Sequence, residues 1–189
     1  FRHALMREAA YAGLSDEAKR AAHGCAGDWL ERMRESDAMV LAEHFLRGGQ
    51  PERAAVWLYR ATADALDAND LHLVHERAER AAATGVGGSL LGRVRRLQAT
   101  AAFWLSEYAA ARSYAEQSIP LLPVGSAEWF LAVGEAVASC GRLGDAEGVL
   151  AHFERASLAT AESSARAARV ICLSRAAFPL IQLGQLARV

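Results

Sequence analysis

The stretch "HLVHERAE", His72 to Glu79, sets His72 one helical turn before Glu76 and His75 one turn before Glu79. That spacing can chelate a divalent metal, and surface ion pairs share it. An HExxH motif and a further ligand set are both missing from the sequence, so the ion-pair reading is preferred and no metal is expected. "GVGGSLLG", Gly85 to Gly92, is glycine-rich ahead of a helical pattern. It lacks the Gly-Lys-Ser/Thr ending of a phosphate loop and no strand precedes it, so it reads as a helix end and linker.

Nucleophilic catalysis finds no support either. His3, His23, His44 and His152 are scattered, and the serines stand at helix starts, which leaves no Ser/His/Asp or Cys/His arrangement. Asp16-Glu17 falls in a first helical turn, where the macrodipole favours negative charge. The expectation is a chain with no catalytic residue and no cofactor.

Four arginines carry the one recognition hypothesis. Arg93 and Arg96 stand one turn apart near the start of a helical segment, and Arg166 and Arg169 repeat the arrangement later. Facing inward on a helical array, such pairs would offer forked donors to an acidic partner; on the polar face of amphipathic helices they would simply be solvated.

The bounds of the chain agree with a binding role. It has 189 residues, enough for one domain with a substantial core or for a short array of repeats. The formal net charge is −1, which gives no electrostatic footprint for nucleic acid or an anionic membrane. Lys19 is the only lysine beside a large set of arginines, a bias associated with GC-rich bacterial genomes. Cys25, Cys140 and Cys172 are odd in number and lie among apolar residues, which suits reduced, buried thiols in the cytoplasm. No run of about 18 apolar residues predicts a membrane span. The chain starts at Phe1 without Met and stops at Val189, and is expected to be a fragment of a longer protein.

The elements that must position these residues are helices. Ala22, Cys25, Ala26, Trp29, Leu30 and Met33 recur at helical spacing; so do Leu90, Val94, Leu97, Ala101 and Trp104, and Phe130, Val133, Val137 and Cys140. Strand-like alternation is missing. Ser15, Ser126 and Thr160 stand where N-caps belong. In "HFLRGGQPERAAVWL" a glycine can close one helix and Pro51 can open the next. The reading is all-α, with nine or ten helices.

Turn pairs recur at Gly49-Gln50, Asn69-Asp70, Ser106-Glu107, Gly144-Asp145 and Gly184-Gln185, first 20 and then 37, 38 and 40 residues apart. The last three intervals fit one helical hairpin each. Leu41, Ala42 and Phe45, followed by Ala54, Leu58 and Ala61, resemble the small-and-large pattern of the tetratricopeptide repeat, as do Tyr108, Ala111, Ala115 and Pro123. The intervals exceed that family's period of about 34 residues, and Ala115 stands where a large side chain is expected. The resemblance implies a right-handed α-solenoid of stacked antiparallel hairpins over residues 37–189, with Trp57 packing between repeats.

A second resemblance lies upstream. "FRHALMREAAYAGL", "AAHGCAGDWLE" and "LAEHFLRGGQPERAAVWLYRA", through Phe1, His3, Leu5, Glu8, Tyr11, His44 and Gly48-Gly49, are similar to the segment after the nucleotide-binding and winged-helix portions of bacterial signal-transduction ATPases of the STAND/AAA type. Those include serine/threonine kinases, adenylate cyclases and LuxR-type regulators. The resemblance implies that residues 1–36 follow such a core and that the whole is a non-catalytic interaction and regulatory arm. Its partners would be a protein or peptide, acidic if the arginines face inward, together with neighbouring domains of the parent chain; a homodimer through an exposed apolar end is a variant. A nucleic-acid-binding array and a fragment with its own catalytic site are the competing readings.

Overall fold

The computed structural model describes residues 4–184; Phe1, His3 and Gln185 lie outside the described residues. Over that span the chain is all-helical: α1 (Ala4–Ala12), α2 (Asp16–Arg32), α3 (Ala38–Arg47), α4 (Pro51–Asp67), α5 (Leu71–Ala83), α6 (Gly88–Trp104), α7 (Tyr108–Ser118), α8 (Ala127–Leu143), α9 (Ala146–Leu158) and α10 (Arg166–Gln182). Short 3-10 turns at Ile119–Leu121 and Ser163–Ala165 precede α8 and α10. No described helix is long and apolar enough to cross a membrane.

One turn geometry is used again and again. The first member of every sequence pair is left-handed: Gly49 at φ 70°, Asn69 at 58°, Ser106 at 64°, Gly144 at 72° and Gly184 at 70°. The amide of the residue that follows reaches back five positions: Gln50 to the Phe45 carbonyl, Asp70 to Ala65 and Glu107 to Ala102 at 2.9 Å, and Asp145 to Cys140 at 3.0 Å. This closes orphan carbonyls at the helix end in the Schellman manner. The chain then re-enters helix at once, with Asp70 and Asp145 capping Leu73 and Gly148 through their side chains. Arg34 at φ 57°, with Glu35 reaching back to Leu30 at 3.0 Å, is a further copy. Its residue types give no turn signal. The short first interval now has a cause: Gly49 and Asn69 flank the single helix α4, whereas each later interval spans two helices and a longer connection.

From α3 onward each helix packs on its predecessor, and α4, α6, α8 and α10 also pack on one another in that order. Where α8 meets α10 it offers glycine. A methyl group at Gly141 would stand 2.5 Å from Pro179 Cγ, and one at Gly134 would stand 3.2 Å from Cys172 Cα. The apolar interior follows the chain in four clusters. Leu41, Phe45 and Ala54 lead; Ala42, Leu58, Ala78 and Val94 follow; then come Ala65, Val74, Leu97 and Ala101. The largest cluster, built around Trp129, Phe130, Val133 and Val137, joins α6 to α10. Trp57 packs against the first two of these.

Four expectations need correction, the first being Trp104, placed in the apolar stripe of α6 but 65% exposed. Cys25, Trp29 and Met33 on α2 are exposed, because α2 turns Gly24 and Gly27 inward instead. A methyl group at Gly27 would lie 2.7 Å from the Phe45 ring, so the glycine face allows an approach the bulkier stripe could not make. Cys25 is therefore an exposed thiol, while Cys140 and Cys172 are buried. Burial, the largest cause, pushes those two thiols up to about 11 and about 12, which keeps them protonated and unreactive. Thr160 does not cap a helix: α9 ends at Leu158, and α10 starts only after the second 3-10 turn. Ser15 and Ser126 do cap α2 and α8, accepting from the amides of Ala18 and Trp129.

Candidate functional site

Along α8, Glu128, Leu131, Glu135, Ala138 and Arg142 follow one another at spacings of three and four residues, which draws a single line along the helix. This line is the floor of a groove with α6 on one side and α10 on the other. Polar contacts hold it together. Arg96 of α6 pairs with Glu128, and Thr100 of α6 donates from its hydroxyl to Glu135 at 2.9 Å. Arg175 of α10 pairs with the other Glu135 oxygen at 2.6 Å. Glu135 is only 5% exposed, so one buried carboxylate ties three helices: Oε1 accepts from the Thr100 hydroxyl, while Oε2 faces the Arg175 charge without an aligned hydrogen bond.

At the C-terminal end of that line the groove deepens to a cavity of about 490 Å³. Phe103 of α6, Phe178 of α10 and the Arg142 and Arg175 side chains surround it, over a floor of Ala138 and Gly141. The small floor residues give depth. Arg175 lies over the Phe103 ring at 5.6 Å, and Arg142 over the Tyr108 ring at 5.7 Å. Phe178 is 65% exposed. Such a cavity can accept an apolar side chain and donate to an anion beside it.

The four arginines named from the sequence separate. Arg93 is exposed on the groove side of α6, one turn before Arg96, and makes no ion pair among the described residues. Arg96 is already committed to Glu128. Arg169 donates from Nη2 to the Ser157 carbonyl of α9 at 3.0 Å. It sits nine residues before Phe178, half a helical circumference away, and so outside this groove. Arg166 is exposed at the start of α10. The two pairs are therefore not equivalent. Arg142, Arg175, Glu135, Phe103 and Phe178 were not singled out from the sequence. The available signal was Glu135, a lone carboxylate inside the apolar run "FLAVGEAVAS".

Elsewhere, Glu79 accepts from Gln98 Nε2 and Arg95 Nη1, each at 2.7 Å, and the Gln98 bond, with burial opposing it and Arg95 assisting, holds its carboxyl below the usual range. It thus joins α5 to α6 rather than serving His75. No group of three or more His, Cys, Asp and Glu side chains converges among the described residues. Near the N-terminus His23 links Tyr11 Oη, 3.0 Å from its Nε2, to His44, with 3.1 Å between the two Nδ1 atoms. Burial, His44 and Arg47 push the His23 pKa down, against the opposing pull of Glu43.

Comparison with known proteins gives no match to a family profile, a curated protein or a solved structure.

Proposed function

We propose that this chain is a non-catalytic protein-interaction and regulatory module, a right-handed tetratricopeptide-like α-solenoid belonging to a larger bacterial signalling protein with an ATPase core. The observation that carries this reading is the groove on the α4, α6, α8 and α10 row, open to solvent and lined by aromatic and guanidinium groups. Stacked hairpins leave such a concave row free, and extended or helical polypeptides bind there. Sequential packing and the repeated turns support the solenoid. The upstream resemblance supplies the parent class: a kinase, cyclase or transcriptional regulator.

The test places a photo-crosslinking amino acid at Ser174, on the groove wall, in cells that make the parent protein. Mass spectrometry is expected to map the adduct to a polypeptide, either a second protein or a neighbouring domain of the parent. Adducts confined to nucleic acid, or none above the level of a probe on the opposite surface at Glu154, would overturn the reading.

A further inference from the structure

We infer that the occupant of the α6–α8–α10 groove is an acidic linear segment with a large apolar anchor, the anchor entering the Phe103–Phe178 cavity while carboxylates on either side meet Arg142 and Arg93. This rests on the protein-binding reading above and specifies its partner. Charge along the groove supplies the first argument. Both carboxylates on its floor are matched: Glu128 by Arg96, and Glu135 by Arg175 and the Thr100 hydroxyl. Arg93 and Arg142 have no carboxylate partner among the described residues. The groove therefore carries two surplus guanidiniums and no surplus anion, which is complementary to acid and repels a basic segment.

Shape supplies the second argument. A volume of about 490 Å³ lies low in the range of ~300–1,000 Å³ for ligand clefts, suited to one large side chain and its backbone. Arg175, held by Glu135, presents a fixed cation beside the Phe103 ring, so the cavity is formed in advance and little ordering accompanies entry. Spacing supplies the third. The Arg96–Glu128 pair fixes the register of α6 against α8, Arg93 stands three residues before Arg96, and Arg142 follows Glu128 by fourteen residues, so the two cations stand about 25 Å apart along the groove. An extended segment advances about 3.3 Å per residue, so its acidic groups stand about seven or eight residues apart, with the anchor next to the one at Arg142. Two cations that far apart do not track the closely spaced phosphates of a nucleic acid strand.

The test selects from a library of random twelve-residue peptides displayed on phage against the full 189-residue chain, then measures the winning peptide by fluorescence anisotropy. Enriched peptides should carry Phe, Trp or Leu beside Asp or Glu, with a second acidic residue about seven or eight positions away. Arg142→Glu and Phe178→Ala should each weaken binding at least tenfold with the helical circular dichroism unchanged, whereas Arg155→Glu on α9 should leave it as it was. Arg142→Glu should regain affinity for the peptide whose anchor-side acid is replaced by Lys, a result that misfolding cannot imitate. Enrichment without acidic residues, no enrichment, or affinity indifferent to both groove substitutions overturns the inference. The crosslinking result at Ser174 still decides the broader reading separately, since a folded partner domain would label there without any linear peptide binding.

Discussion

Arg53 of α4 reaches Asp28 and Glu31 of α2, both at 2.5 Å, while lying over the Phe45 ring. Arg80 of α5 pairs with Glu43 of α3, and Arg112 of α7 with Asp145 of α9. Each guanidinium joins helices far apart in sequence, and the planar forks of Arg53 and Arg112 each serve two carboxylates at once. Most of these pairs are half exposed and contribute little each. Glu135 differs because it is buried. Glu135→Ala should lower unfolding stability by about 2 kcal/mol or more, since it strands Arg175 and Thr100. Glu135→Leu combined with Arg175→Met should recover most of that loss; urea unfolding of the three variants checks it, and an unmoved midpoint in the single variant would refute the bridging role. Histidine gives the pH dependence. His23 and His152 are both depressed below the ordinary 6.5 in the folded chain, burial being the largest cause in each. The unfolded chain then binds more protons between the depressed values and 6.5, so stability rises with pH across that window and falls on acidification. The urea midpoint should drop from pH 7.5 to pH 5.5, and His152→Phe, retaining the buried ring, should flatten the slope; a slope that is unchanged rejects the assignment.

Among the elements, the helix-ending turn is the unit that repeats, and its chemistry is uneven. Gly49 and Gly144 take a left-handed conformation without a steric cost, whereas Ser106 at φ 64° carries a Cβ there. Ser106→Gly should raise stability by about 1 kcal/mol, or about 2–4 °C in Tm for a chain of this size, read by thermal circular dichroism; the Tyr108 hydroxyl contact to Ser106 at 3.3 Å is too long to offset this. The opposite outcome is expected at the α8–α10 crossing. Gly141→Ala sets a methyl group against Pro179, whose ring is part of the α10 backbone and cannot rotate away, so the helices must part at a cost of about 1–3 kcal/mol. Turns were legible in sequence because φ > 0 selects glycine and asparagine. Helix facing was legible only where the buried face was apolar. On α8, Phe130, Val133, Val137 and Cys140 are all fully buried; on α2 the buried face is glycine, and a hydrophobic periodicity points to the wrong side.

For the whole molecule, a core divided into successive clusters makes damage local. Ala42 is fully buried beside Leu58, Ala78 and Val94, and Ala42→Glu places an uncompensated charge there. In a stack stabilised by nearest neighbours, amide hydrogen exchange should show α3 to α5 losing protection while α8 to α10 keep theirs; loss throughout at equal rate would mean one cooperative unit. What the sequence alone determined is the all-α class, a helix number of nine or ten and the placement of every turn but that at Arg34, since each depends on residues close along the chain: 3.6-residue periodicity, capping oxygens and left-handed positions. Tertiary structure alone decided which faces meet. Glu135, Thr100 and Arg175 come from three helices, as do Phe103, Arg142 and Phe178 around the cavity; nothing local to any of them encodes the neighbour. Arg96 and Arg169 look alike in sequence, yet one meets Glu128 and the other the Ser157 carbonyl. The physical reason is that helix crossing angle and rotation follow from side-chain volume at the contacts, including the two glycines of α8, and those volumes act only once distant segments are pressed together.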